Sequence, residues 1–147
     1  MKFVIAFLLA SLVCLHLRAQ YVSVLKEYKP APGQVINTEG AGSPAAAASV
    51  CNSNNGLVSL GSFGGYVVYA FDEPVENDPG NPYGVDFVIF GNAQSDWSEP
   101  GTVMVMKDEN NNGEADDEWF ELAGSDYFFS NTIKSFNLKY INSGGTS

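Results

Sequence analysis

Apolar and polar positions change rhythm along this chain, and the rhythm predicts strands. In Ser135–Ile141, Phe136, Leu138 and Tyr140 alternate with Asn137 and Lys139, the period of two expected when one strand face is buried and the other wet. Tyr66–Phe71 is apolar on both alternating faces, as for a strand buried inside a sandwich. Val85–Phe90 reads as a further strand, ended by Gly91-Asn92. Residues 21–28, Leu57–Leu60, Thr102–Met106 and Glu118–Leu122 complete the strand pattern.

Between these runs the chain is punctuated by turn residues. Pro30-Ala31-Pro32-Gly33 closes the first strand, and Gly61-Ser62-Phe63-Gly64-Gly65 separates two others. Asp72–Gly84, with three prolines, and Ala93–Gly101 are loops. Residues 39–55 are rich in Gly, Ala, Ser and Asn, and within them Pro44–Val50 predicts a single helical turn. About six short strands with irregular connections predict an all-β fold, an antiparallel β-sandwich or jelly roll. The last strand is followed at once by the polar stretch 142–147, so the sandwich reads as incomplete at its C-terminus and the chain as the front part of a longer protein.

The first twenty residues have another character. A lone Lys2 precedes Phe3–Leu17, which is apolar apart from Ser11 and His16, too short for a membrane span but fitting a secretory signal. Domain organisation is therefore a signal peptide at 1–20 and one domain at 21–147, destined for secretion or the cell surface, with no transmembrane helix after cleavage. Cys14 raises lipid anchoring, but Ser11-Leu12-Val13-Cys14 lacks the leucine expected three positions before a lipidated cysteine.

Cleavage changes the chemistry that remains. The only histidine, His16, and the only arginine, Arg18, depart with the signal. Five lysines then face 17 carboxylates, a net charge of −12 once Lys2 and Arg18 are removed from the seven cations. Such a surface repels nucleic acid and anionic membranes, whose capture depends on Lys and Arg. It suits cations and neutral ligands. Cys51 is the one cysteine left, so no internal disulfide can form, and its ordinary role is that of a small buried apolar residue.

The most specific motif is Asp108-Glu109-Asn110-Asn111-Asn112-Gly113-Glu114-Ala115-Asp116-Asp117-Glu118. Oxygen-bearing side chains stand at loop positions 1, 3 and 5 (Asp108, Asn110, Asn112), glycine at 6, and a carboxylate at 9 (Asp116). A chain wrapping one ion turns every second side chain inward, needs glycine for the sharp bend, and uses the carbonyl at position 7 (Glu114). Six to eight hard oxygens of this kind define a Ca²⁺ site. Position 12 is Trp119 and both flanks read as strands, so the pattern departs from the helix-loop-helix calcium hand and matches D-x-N-x-N-G-x-x-D loops set in β-hairpins. Asp117 or Glu118 substitutes if the register differs. A plain Asn-Gly hairpin turn is the competing reading, but the carboxylates crowded around it repel one another without a counter-ion.

Other candidates carry less. Gly61–Gly65 lacks the Gly-Lys-Ser/Thr of a phosphate cradle and precedes a strand. Trp97, Asp96 and Tyr83 lie in polar loops where an aromatic platform for a ligand ring can form, although a loop Trp serves equally well as a cover for a sandwich end. Without histidine the mature domain has no Ser-His or Cys-His dyad, and the chain is not read as an enzyme. Carboxylates near loop ends (Asp86, Asp96, Glu99) leave one alternative, part of a glycoside-active enzyme. A purely structural envelope protein is another.

The ordered series Leu60-Gly61-x-x-Gly64-Gly65, Phe71-Asp72-x-Pro74-Val75, Gly84–Asn92, Glu99-Pro100-Gly101 and the acidic loop with Trp119–Gly124 resembles a family of secreted bacterial cell-surface proteins. Its members are common in gut Bacteroidetes and often carry PKD-type or sorting modules further on. The resemblance spans roughly residues 21–140. It implies a β-sandwich surface or lipid-anchored protein with calcium at the Asp108 loop, accompanying outer-membrane nutrient uptake and capturing a glycan or a corrinoid.

Overall fold

The computed structural model describes residues 20–38, 40–93, 95–96 and 99–141. Residues 1–19 of the segment expected to be a signal, Cys14 among them, and Trp97 lie outside these. The described chain is mostly strands and loops, with two small antiparallel sheets, a β-type fold with little helix. Strands β1 (Val24–Lys29) and β2 (Tyr66–Ala70) form one sheet; β3 (Met104–Met106) and β4 (Trp119–Glu121) form the other. Between β1 and β2 lies one short helix, α1 (Pro44–Ser49). None of the helices among the described residues is long and apolar enough to cross a membrane.

The β1–β2 register runs from Val24 opposite Ala70 to Lys29 opposite Tyr66, with a bulge between Leu25 and Glu27. Pro30 ends β1 because it has no N–H to give a ladder. Helix α1 starts where its sequence favours it: Ser43 Oγ accepts the Ala46 N–H at 3.2 Å, and Pro44 occupies the first turn, where its missing N–H leaves no bond unmade.

The packed centre is made of small residues. Among the described residues Ala31, Ala46 and Ala47 are the buried apolar side chains, and backbones cross closely around them. Ala31 N–H donates to Leu60 C=O at 2.9 Å. Gly61, at φ +76°, lies so near this crossing that a Cβ there would sit 1.9 Å from the Ala31 carbonyl oxygen. Half-buried tyrosines tie the layers: Tyr69 Oη donates to Ala47 C=O at 2.8 Å, joining β2 to α1, and Tyr28 Oη donates to Ser59 C=O at 2.7 Å.

Several expected strands are not formed. Leu57–Leu60, Val85–Phe90 and Ser135–Ile141 have apolar strand patterns but lie in extended or irregular backbone without ladder partners. Much of this apolar surface is open: Phe90 is 80% and Ile141 76% exposed. Alternation reports a face suited to burial, whereas a strand also needs a neighbour for its N–H and C=O groups. Even β2, expected to be buried on both faces, is half-buried from Val67 to Ala70 and exposed at Tyr66.

Candidate functional site

The acidic loop joins β3 to β4 as a hairpin, with Met104 opposite Glu121 and Met106 opposite Trp119. The short ladder brings Lys107 and Glu118 to the neck of the loop, and the loop then curls on itself through its own side chains. Asp108 organises the first half. Its Oδ1 accepts Asn112 N–H at 3.1 Å and its Oδ2 accepts Gly113 N–H at 2.8 Å. Asn110 Oδ1 accepts Asn112 N–H at 2.9 Å, and Asn112 Oδ1 accepts Glu114 N–H at 2.7 Å. These are the local turns that Asp and Asn side chains make with backbone two or more residues onward. Asn111 (φ 57°) and Gly113 (φ 74°) take left-handed backbone, which Asn and Gly tolerate best.

Asp116 faces the same centre from the returning arm. Asn112 Nδ2 donates to its Oδ2 at 3.1 Å, and Asn110 Nδ2 reaches its Oδ1 at 3.4 Å. Asp108, Asn110, Asn112 and Asp116 are thus linked in one hydrogen-bonded cluster; Glu114 enters it through its N–H. Asp117 is used differently: its Oδ2 accepts Glu109 N–H at 3.0 Å and closes the base of the loop.

The donor chemistry fits a hard cation only through mixed oxygens. Among the described residues no group of three or more His, Cys, Asp and Glu side chains is placed to hold a metal. The cluster offers two carboxylates, two side-chain amides and backbone carbonyls. The amide NH₂ groups now turned toward Asp116 must rotate to present oxygen to an ion, while Asn110 Oδ1 and Asn112 Oδ1 each retain a second lone pair beside the backbone N–H they accept.

Of the loop candidates for ligand contact, Tyr83 and Asp96 are among the described residues, and both are exposed. Tyr83 is fully exposed at 102%, in the 3-10 turn Pro82–Gly84, with φ 60°. Asp96 is exposed and accepts from Ser95 Oγ at 3.5 Å. Asp86 is occupied in its own loop, accepting from Asp78 N–H at 3.2 Å and Asn81 Nδ2 at 3.0 Å. A cleft of about 390 Å³ lies elsewhere, lined by Pro32, Phe63, Phe136, Asn137, Leu138 and Tyr140. Tyr140 Oη donates to Phe63 C=O at 2.5 Å across it. Sequence reading treats Phe63 as part of a turn and Phe136 and Tyr140 as one strand face; their separation of more than seventy residues gives no local signal that they meet.

Comparison with protein-family models, with curated proteins and with solved structures found no match.

Proposed function

We propose that the chain is an exported, calcium-binding, non-catalytic surface module, built as an antiparallel sandwich, that captures a ligand or adheres at the cell envelope. The observation supporting this most is the convergence of Asp108, Asn110, Asn112 and Asp116 within a hairpin loop whose backbone they also shape. Calcium there serves structure: it neutralises facing carboxylates and fixes the β3–β4 connection in a mature domain without a disulfide. Binding takes precedence over catalysis because the mature segment carries no histidine, and so no Ser-His or Cys-His dyad. The acidic surface favours neutral or cationic ligands, with glycans and corrinoids as the first classes to try and an outer-membrane uptake complex as the setting.

The test is a thermal-shift panel of soluble glycans and corrinoids on the mature chain in millimolar calcium. A dose-dependent rise in Tm with one class supports capture and names the ligand chemistry. A flat panel removes the capture role and leaves a structural envelope domain.

A further inference from the structure

Lys26 occupies the β1 bulge. Leu25 stands opposite Tyr69 and Glu27 opposite Val68, so Lys26 has no partner across the ladder. A bulge re-aims the side chain it carries. Lys26 Nζ donates to the carbonyl of Gly113, 87 residues away in the middle of the acidic loop. The other side of that same peptide, the Glu114 N–H, is held by Asn112 Oδ1 at 2.7 Å. The Gly113–Glu114 peptide is therefore gripped twice, once from within the loop and once from the first sheet.

We propose that Lys26 is an internal counter-cation of the acidic loop, tethering it to β1 in the cation-free protein and opposing its loading by a divalent cation. The second half of this statement rests on the calcium reading above. Asp108, Glu109, Glu114, Asp116, Asp117 and Glu118 crowd the loop, and one ammonium at its apex offsets part of their repulsion. A divalent ion entering the loop meets that ammonium as a like charge. Both groups are exposed, so the opposition is modest and screened by salt.

The experiment has two arms on the mature chain. In the first, calcium titration calorimetry compares wild type, Lys26→Gln and Lys26→Arg at about 10 mM and about 0.5 M ionic strength. Lys26→Gln is expected to bind calcium about threefold more tightly at low salt, with the difference gone at high salt, while Lys26→Arg keeps wild-type affinity. Unchanged or weaker binding by Lys26→Gln at low salt overturns the opposition. In the second arm, melting in EDTA compares Lys26→Gln, Asp116→Asn and the double variant. Non-additive Tm changes support the tether, and additive changes overturn it. A wild-type chain that takes up no calcium removes the metal reading and the opposition with it, and the EDTA arm still decides the tether.

Discussion

Tyr69 shows how one residue joins burial, packing and pH. It stands half-buried in β2, and its hydroxyl donates to the Ala47 carbonyl in α1. Burial pushes its phenol up to about 12 from the ordinary 10.0, with Cys51 and Tyr28 adding to the shift. Burial also raises Tyr28. A phenol raised in the folded state contributes stability that is fully present below pH 10.0 and is lost as pH climbs toward about 12, because the unfolded chain ionises first. Alkaline melts should therefore show Tm falling through this window. Tyr69→Phe should flatten most of that fall while lowering Tm at neutral pH, the lost hydrogen bond costing about 1 kcal/mol. An unchanged alkaline limb in Tyr69→Phe would assign the fall to other groups. Glu27 has the opposite sign: its bond to Lys29, and then that from Tyr66, hold its carboxyl below the ordinary 4.5, so the stability it adds is lost only as acid protonates it. The pair is exposed, and its weight in overall stability is small.

At the level of elements, close backbone crossings carry the packing that large side chains usually carry. Gly61 is demanding on two counts, because it combines a left-handed φ of +76° with the nearby Ala31 carbonyl. Gly61→Ala should destabilise the domain by about 2–4 kcal/mol, seen as a lowered urea midpoint. Gly64→Ala is the control: its φ is +88° but nothing lies within 4 Å of an added Cβ, so only the backbone strain of about 1 kcal/mol applies. Equal effects at the two sites would mean that the crossing at Ala31 is looser than described. Such crossings are invisible in a sequence, where Gly61–Gly65 reads only as a break. The strands that were legible are those whose partners also carry strand patterns, Val24–Lys29 with Tyr66–Ala70 and Met104–Met106 with Trp119–Glu121. Val85–Phe90 has an equally good pattern and forms no strand, since periodicity says nothing about the availability of a partner. The acidic loop was legible because its residues lie within eleven consecutive positions and interact locally. Lys26 was not, because its approach depends on a register shift in a distant sheet.

For the whole molecule, the balance between a small alanine-centred core and a large open apolar surface sets how much the proposed calcium ion could contribute. Among the described residues Ala31, Ala46 and Ala47 form the buried apolar set, while Val88, Ile89, Phe90, Phe136 and Ile141 are exposed. A domain with so little buried side-chain volume draws stability from turns, caps and close backbone contacts, each contributing about 1 kcal/mol. An ion that fixes an eleven-residue loop is then a sizeable part of the total. Part of that gain would be offset at the Lys26–Gly113 contact, the described hydrogen bond that joins β1 to the acidic loop and that is proposed to oppose the ion. Under the proposal that the loop binds calcium, a Kd of ~10⁻⁴–10⁻³ M, the range of extracellular calcium modules, predicts that calcium at a few millimolar adds ~1 kcal/mol by mass action.

Calcium titration of the mature chain, with melting curves in millimolar calcium and in EDTA, tests the central claim most directly. The expected result is a single binding event, a Tm about 3–5 °C higher in calcium than in EDTA, and loss of both in Asp108→Ala and Asp116→Ala. No binding heat, with superimposable melts in calcium and EDTA, would contradict it and leave the Asp108–Glu118 segment as an acidic hairpin loop closed by its own hydrogen bonds.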